Sequence, residues 1–133
     1  MSNVRIAFQL VERFQKGYLQ VEPKLNHGDY FPKHFMAKEG KIISILDWGE
    51  TRSDSPIYDF ANWDFWTGQE LPTTWLIEGY IDKSLFDSNF NDLLHFIKIM
   101  IGLEVLEWYH GEKYQEMIEK TKRRIIIDVT YFK

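Results

Sequence analysis

A chain of 133 residues fits one domain of ordinary size and is long enough to bury a core of its own. Its formal net charge of −4, with 27% charged and 17% aromatic residues, suits a globular protein and argues against a general binder of polyanions, so no nucleic-acid partner is expected. There is no cysteine, which excludes disulfides and thiolate-held zinc or iron–sulfur clusters and accords with a cytoplasmic protein.

In chain order, Ala7, Leu10, Val11, Phe14 and Tyr18 recur at helical spacing and predict an amphipathic helix over roughly residues 3–16, ended near Gly17. The same opening carries Arg5, Glu12 and Arg13 and lacks a signal-peptide core. After Pro23 comes Leu25-Asn26-His27-Gly28-Asp29-Tyr30-Phe31-Pro32-Lys33-His34. It leads into Phe35-Met36-Ala37, the turn-like Lys38-Glu39-Gly40 and Lys41 to Leu46, which together predict a β-hairpin ending at Asp47. Ser55-Pro56 reads as an N-cap followed by proline at the first helical position, opening a helix through Tyr58, Ala61, Asn62 and Phe65 toward Gly68. A third helix is expected from Thr74 to about Ile81. Leu93 to Tyr109 is almost continuously apolar and predicts a helix buried on most sides, and Glu112 to Ile127 predicts one more amphipathic helix. Lys98 and Glu104 break the most apolar run, so no membrane segment is expected.

The polar residues gather around the hairpin. His27, Asp29 and His34 lie just before its first strand and Asp47 just after its second, and a hairpin brings its two ends together. Two carboxylates so placed can divide labour, one taking or orienting the proton of a hydroxyl nucleophile and the other holding a cation that neutralises phosphate oxygens. Solvated or capping carboxylates arise at the same positions, and the pattern alone leaves both readings open.

The ordered motifs say more. His27 to His34, then a hairpin, then Ile45-Leu46-Asp47-Trp48, then Asp54-Ser55-Pro56-Ile57-Tyr58-Asp59-Phe60-Ala61 resemble the aminoglycoside phosphotransferase family, which shows H-G-D-L-x-P-x-N, a hairpin, I-D-W and G-D-P-x-x-D-L-A in this order. Ile45 to Asn62 resembles most its hygromycin-phosphotransferase-like branch. The match is sharp over about residues 25–66. It implies an α+β, mostly helical fold: the C-terminal lobe of a kinase-like phosphotransferase, with a small β-hairpin carrying the catalytic loop. By the same resemblance Asp29 is the catalytic aspartate that accepts a substrate hydroxyl's proton, and Asp47 is a magnesium ligand. His27 and Gly28 shape the loop, Pro32 stiffens it, and Asp59 holds it through hydrogen bonds to its backbone. Magnesium and ATP are the implied cofactors and a hydroxylated, aminoglycoside-like small molecule the implied substrate.

Two departures qualify the carry-over. His34 stands where the family has an asparagine whose amide oxygen coordinates magnesium, and imidazole nitrogen is a poor ligand for that hard ion; His34 can instead hydrogen-bond Asp29 or a phosphate, favour manganese, or have no role. The second concerns ATP. Glycines stand at 17, 28, 40, 49, 68, 79, 102 and 111, so no two are close enough to form a glycine-rich loop over phosphates. Residues 1–133 are therefore expected to be a single, C-lobe-like domain without the ATP-clamping lobe, weak or inactive alone and prone to self-associate or to bind a separate N-terminal lobe. Two other classes stand beside this one: a non-catalytic binding or regulatory module derived from the fold, and a metal-dependent hydrolase using His27, Asp29, His34 and Asp47 with zinc or manganese. Trp63, Phe65, Trp66 and Trp75 offer either a substrate-lining surface or core, and their spacing after a helix start favours core; Glu119 to Arg124 read as a solvated helix end, and His95 and His110 sit on helices with no carboxylate constellation nearby in sequence.

Overall fold

The computed structural model describes residues 3–133. The elements are helix α1 (Asn3–Leu19), strands β1 (Lys24–Asn26), β2 (Phe35–Lys38), β3 (Lys41–Ile45) and β4 (Arg52–Asp54), and helices α2 (Tyr58–Thr67), α3 (Thr74–Gly79), α4 (Phe90–Trp108) and α5 (Gln115–Tyr131). Short 3₁₀ turns include Pro32–His34, Trp48–Glu50 and Glu112–Tyr114. The fold is mostly helical, and its described strands form two small antiparallel pairs, β1 with β4 and β2 with β3. The chain divides into two compact units, one running from Glu22 to Leu85 and one built from the segments before and after it.

In the Glu22–Leu85 unit, Phe35 lies opposite Ile45 and Lys38 opposite Lys41, with a bulge between Met36 and Ala37. Glu39 and Gly40 close the hairpin with φ of 52° and 75°, the left-handed pair that a two-residue turn requires to match the strand twist. The expected hairpin begins with β2. The structure adds β1 ahead of it, pairing Lys24 with Asp54 and Asn26 with Arg52. Three-residue strands are too short to show a period, so nothing in the sequence marked them. Helix α2 buries Tyr58, Phe60, Ala61, Asn62, Trp63 and Phe65. It starts at Tyr58, not at the expected Ser55-Pro56 boundary. Ser55 closes a turn instead, its carbonyl accepting from the Tyr58 N–H at 2.9 Å and its hydroxyl from that of Ile57 at 3.3 Å.

In the other unit, α1, α4 and α5 share a core of Ala7, Leu10, Ile99, Ile125 and Val129, with Phe14 packed against both Phe96 and Phe132. Helix α1 runs past Gly17 because that residue keeps a helical backbone instead of turning left-handed. Burial of α4 is confined to its first part, Phe90 to Gly102; Trp108, in its last turn, is 77% exposed, which corrects the expectation of burial on most sides throughout. Glu119 to Arg124 lie within α5, where Thr121 is fully buried, and so are not a helix end. His95 finds a carboxylate in three dimensions: its Nδ1–H donates to the buried Asp128 at 2.8 Å, and the Lys98 ammonium meets the same oxygen at 2.7 Å. The partner lies 33 residues away, beyond any local motif.

Candidate active site

The loop between β1 and the Pro32–His34 turn is held by two polar side chains, the buried Asn26 and the half-buried Asp59. Asn26 donates its amide to the carbonyls of Lys24, Asp54 and Ser55 at 3.0, 3.3 and 3.1 Å, and its oxygen accepts from the Asp59 N–H at 3.2 Å. Asp59, near the start of α2, in turn accepts the N–H of His27 at 2.7 Å and of Gly28 at 2.9 Å. One side chain ties the strands to the helix, and the next ties the helix to the loop. Burial pushes the Asp59 carboxyl above the ordinary aspartate range, an effect the two backbone N–H groups partly offset.

Within the loop, Gly28 has a φ of +85°, and a Cβ there would lie 1.9 Å from the Glu50 carbonyl oxygen. Only glycine fits. His27 uses both ring nitrogens: Nδ1 accepts the Asp29 N–H at 3.2 Å and Nε2–H donates to the Leu46 carbonyl at 2.8 Å. It thereby links the loop to the far end of the hairpin, and its ring lies 4.6 Å from that of Trp48. Pro32 occupies the start of the 3₁₀ turn, its fixed φ suited to that place. Tyr30 packs against Phe35 and Trp63 at 4.9 and 6.0 Å.

Asp29, His34 and Asp47 come together where the hairpin begins and ends. The Leu46 N–H donates to the His34 carbonyl at 2.8 Å, fixing the two strand ends side by side. His34 is buried, and its Nδ1–H donates to the Asp29 carbonyl oxygen at 2.8 Å. That bond turns Nε2 toward the two carboxylates, 3.7 Å from Asp29 Oδ2 and 3.4 Å from Asp47 Oδ2. Asp47 reaches this position in the left-handed region, at φ 61° and ψ 64°, which aspartate tolerates better than most residues. One ligand atom from each of the three residues lies within 4.8 Å of the others. Two carboxylate oxygens and one imidazole nitrogen form a donor set that fits a divalent cation.

His27 stands outside this set because both its ring nitrogens are engaged, so the four-residue constellation considered for a hydrolase does not form. Sequence reasoning also passed over Asn26 and the Arg52 cluster. Arg52 pairs with Asp54 at 3.1 Å, donates to the Tyr58 hydroxyl at 2.8 Å and lies over the Tyr58 ring. An asparagine directly ahead of His27-Gly28-Asp29 was the available signal for the first; the second depends on β4, which the sequence did not reveal. Trp75 corrects another expectation. It is 57% exposed and lines a cavity of about 380 Å³ with Asn26, Tyr30, Phe60 and Tyr80, while Trp63 and Phe65 are buried.

The model of the phosphotransferase enzyme family matches residues 5–84. Two solved structures are similar in fold, both thermostable mutants of aminoglycoside phosphotransferase APH(4)-Ia, each with a TM-score of 0.76. One, a ternary complex with AMP-PNP and hygromycin B, is 20% identical; the other, with ADP and hygromycin B, is 19% identical. Each match covers 96% of this chain and 43% of the solved one, so the chain spans less than half the length of these structures. No curated protein matches the chain. No described helix is long and apolar enough to cross a membrane.

Proposed function

The chain belongs to the phosphotransferase enzyme family, and from that premise we propose that it is the catalytic half of an enzyme that moves the γ-phosphoryl group of ATP to a hydroxyl of an aminoglycoside-like small molecule. The observation that carries this reading is the meeting of Asp29 and Asp47 at the mouth of the hairpin, on a loop whose backbone Asp59 clamps.

In this reading the Asp29 carboxylate accepts the hydroxyl proton as the oxygen attacks phosphorus. Its backbone is fixed on both sides, by His27 through the N–H and by His34 through the carbonyl, so the carboxylate is presented with little freedom. Asp47, whose side chain is largely solvent-accessible, is free to meet a metal–nucleotide complex. A magnesium ion, when bound, would supply positive charge to the phosphate oxygens, and Asp47 is the oxygen ligand that would hold it here. Gly28 and Pro32 keep the loop's shape, and Asp59 keeps it in place. A glycine-rich clamp for the nucleotide belongs to polypeptide beyond these residues, on a separate N-terminal lobe. ATP use points to the cytoplasm.

The test is to combine the purified chain with the nucleotide-binding lobe of a related enzyme and to measure ATP-dependent phosphorylation of a panel of aminoglycosides including hygromycin B. Transfer that disappears in D29N supports the reading. Complexes that form but transfer nothing favour a second one, a non-catalytic binding module, which His34 in the place of a metal-ligating asparagine supports.

A further inference from the structure

We infer that Asp29, His34 and Asp47 form a site for a first-row transition metal of the zinc class in preference to magnesium, an inference that rests on the proposed active site and concerns which cation it selects. Three observations carry it. First, His34 is 8% exposed, and its Nδ1–H is committed to the Asp29 carbonyl, which leaves Nε2 as the metal-facing nitrogen. A hydrogen bond from the other ring nitrogen to a carbonyl is the usual support of a metal-bound histidine, because it fixes the tautomer and raises the basicity of the ligating atom. Secondly, Nε2 so oriented faces one oxygen of each of two carboxylates, so that a single cation placed among them can bond to all three atoms.

The third observation is the spacing. His34 Nε2 stands 3.4 Å from Asp47 Oδ2 and 3.7 Å from Asp29 Oδ2, and one ligand atom of each residue lies within 4.8 Å of the others, close enough for one ion to reach all three. A nitrogen donor also favours zinc over magnesium on chemical grounds, since magnesium prefers oxygen ligands and gives up its water reluctantly. Three protein ligands leave a fourth position open for water or a phosphate oxygen. Zinc held this way engages Asp29 itself, so the same ion draws the proposed base away from a substrate hydroxyl.

The experiment is calorimetric titration of the full chain, without nucleotide, with zinc, manganese and magnesium chlorides in turn, alongside ¹⁵N spectra of the histidine rings. Zinc is expected to bind about tenfold or more tightly than magnesium, with manganese between them. The His34 Nε2 resonance shifts on zinc addition while the His27 ring does not. H34N, which restores an oxygen donor, should lose the preference for zinc. Affinities for zinc and magnesium within about threefold of each other, or zinc-induced shifts at other histidines and not at His34, would overturn the inference. So would an Nε2–H signal from His34 that persists at saturating zinc, the mark of an imidazolium bridging the two carboxylates. The spectra need no variant, so they decide even if H34N fails to fold. Magnesium-dependent transfer lost in D29N, with no zinc at His34, would sink this inference and leave the phosphotransferase reading standing; zinc at His34 with no transfer in the lobe complex would do the reverse.

Discussion

Asp59 does its work through one carboxylate held against two backbone N–H groups, and this gives two checkable consequences at the scale of single residues. D59N presents an amide donor to one of those N–H groups and leaves it without its acceptor, a loss of about 1–3 kcal/mol. Urea unfolding should show it, together with faster amide exchange at His27 and Gly28. The pH dependence has a definite sign. Burial raises the folded-state pKa of Asp59, and of Asp54 likewise, above the unfolded aspartate value of about 3.9. Such groups bind their protons more tightly when folded. Their contribution is therefore fully present below the unfolded value and is lost as the pH climbs through the elevated folded one. Carboxyl-carbon NMR titration should place the Asp59 midpoint above 3.9, and D59N should flatten the corresponding slope of the pH–stability curve. Gly28 offers a third case. Alanine there meets a left-handed cost of about 1–2 kcal/mol and an overlap with the Glu50 carbonyl of about 1–3 kcal/mol, measurable as a lowered urea midpoint.

At the scale of elements, the hairpin and the three-helix unit owe their stability to different things. The hairpin is short and carries Met36, Ile42, Ile43 and Leu46 exposed, so its register rests on the Glu39-Gly40 turn and on the Leu46 N–H bond to His34. The unit of α1, α4 and α5 rests on close packing. Ile99 is fully buried there, and I99A should cost about 2–5 kcal/mol in thermal or urea unfolding. W108A, in the same helix but on its exposed last turn, should stay within about 0.5 kcal/mol of the parent. The buried Asp128 joins α4 to α5 through His95 and Lys98; removing one partner of such a pair, as in D128N, should cost about 3–5 kcal/mol.

At the scale of the whole molecule, the hairpin of the proposed catalytic half presents apolar side chains, Ile42 and Ile43 being about 60% and 59% exposed. Light scattering is expected to show self-association that an added nucleotide-binding lobe suppresses by forming a mixed complex. The chain alone should transfer no phosphate under conditions in which the complex does. A strictly monomeric chain that binds no such lobe would count against this half-enzyme reading.

The helices were legible in the sequence because long periodic segments bury one face, and their pattern survives without knowledge of what they pack against. The loop motif, the hairpin and its tight turn were legible too, since glycine and aspartate at fixed places carry local backbone demands. β1 and β4 were not, because a three-residue strand is defined by a partner 28 positions away, as Asn26 and its bond to Asp54 illustrate. The same holds for Asp128 beneath His95 and for Trp75 on a cavity wall. Which way His34 turns its Nε2 was likewise decided only in three dimensions: residue type gives a histidine two nitrogens, and the Asp29 carbonyl determines which of them faces the carboxylates.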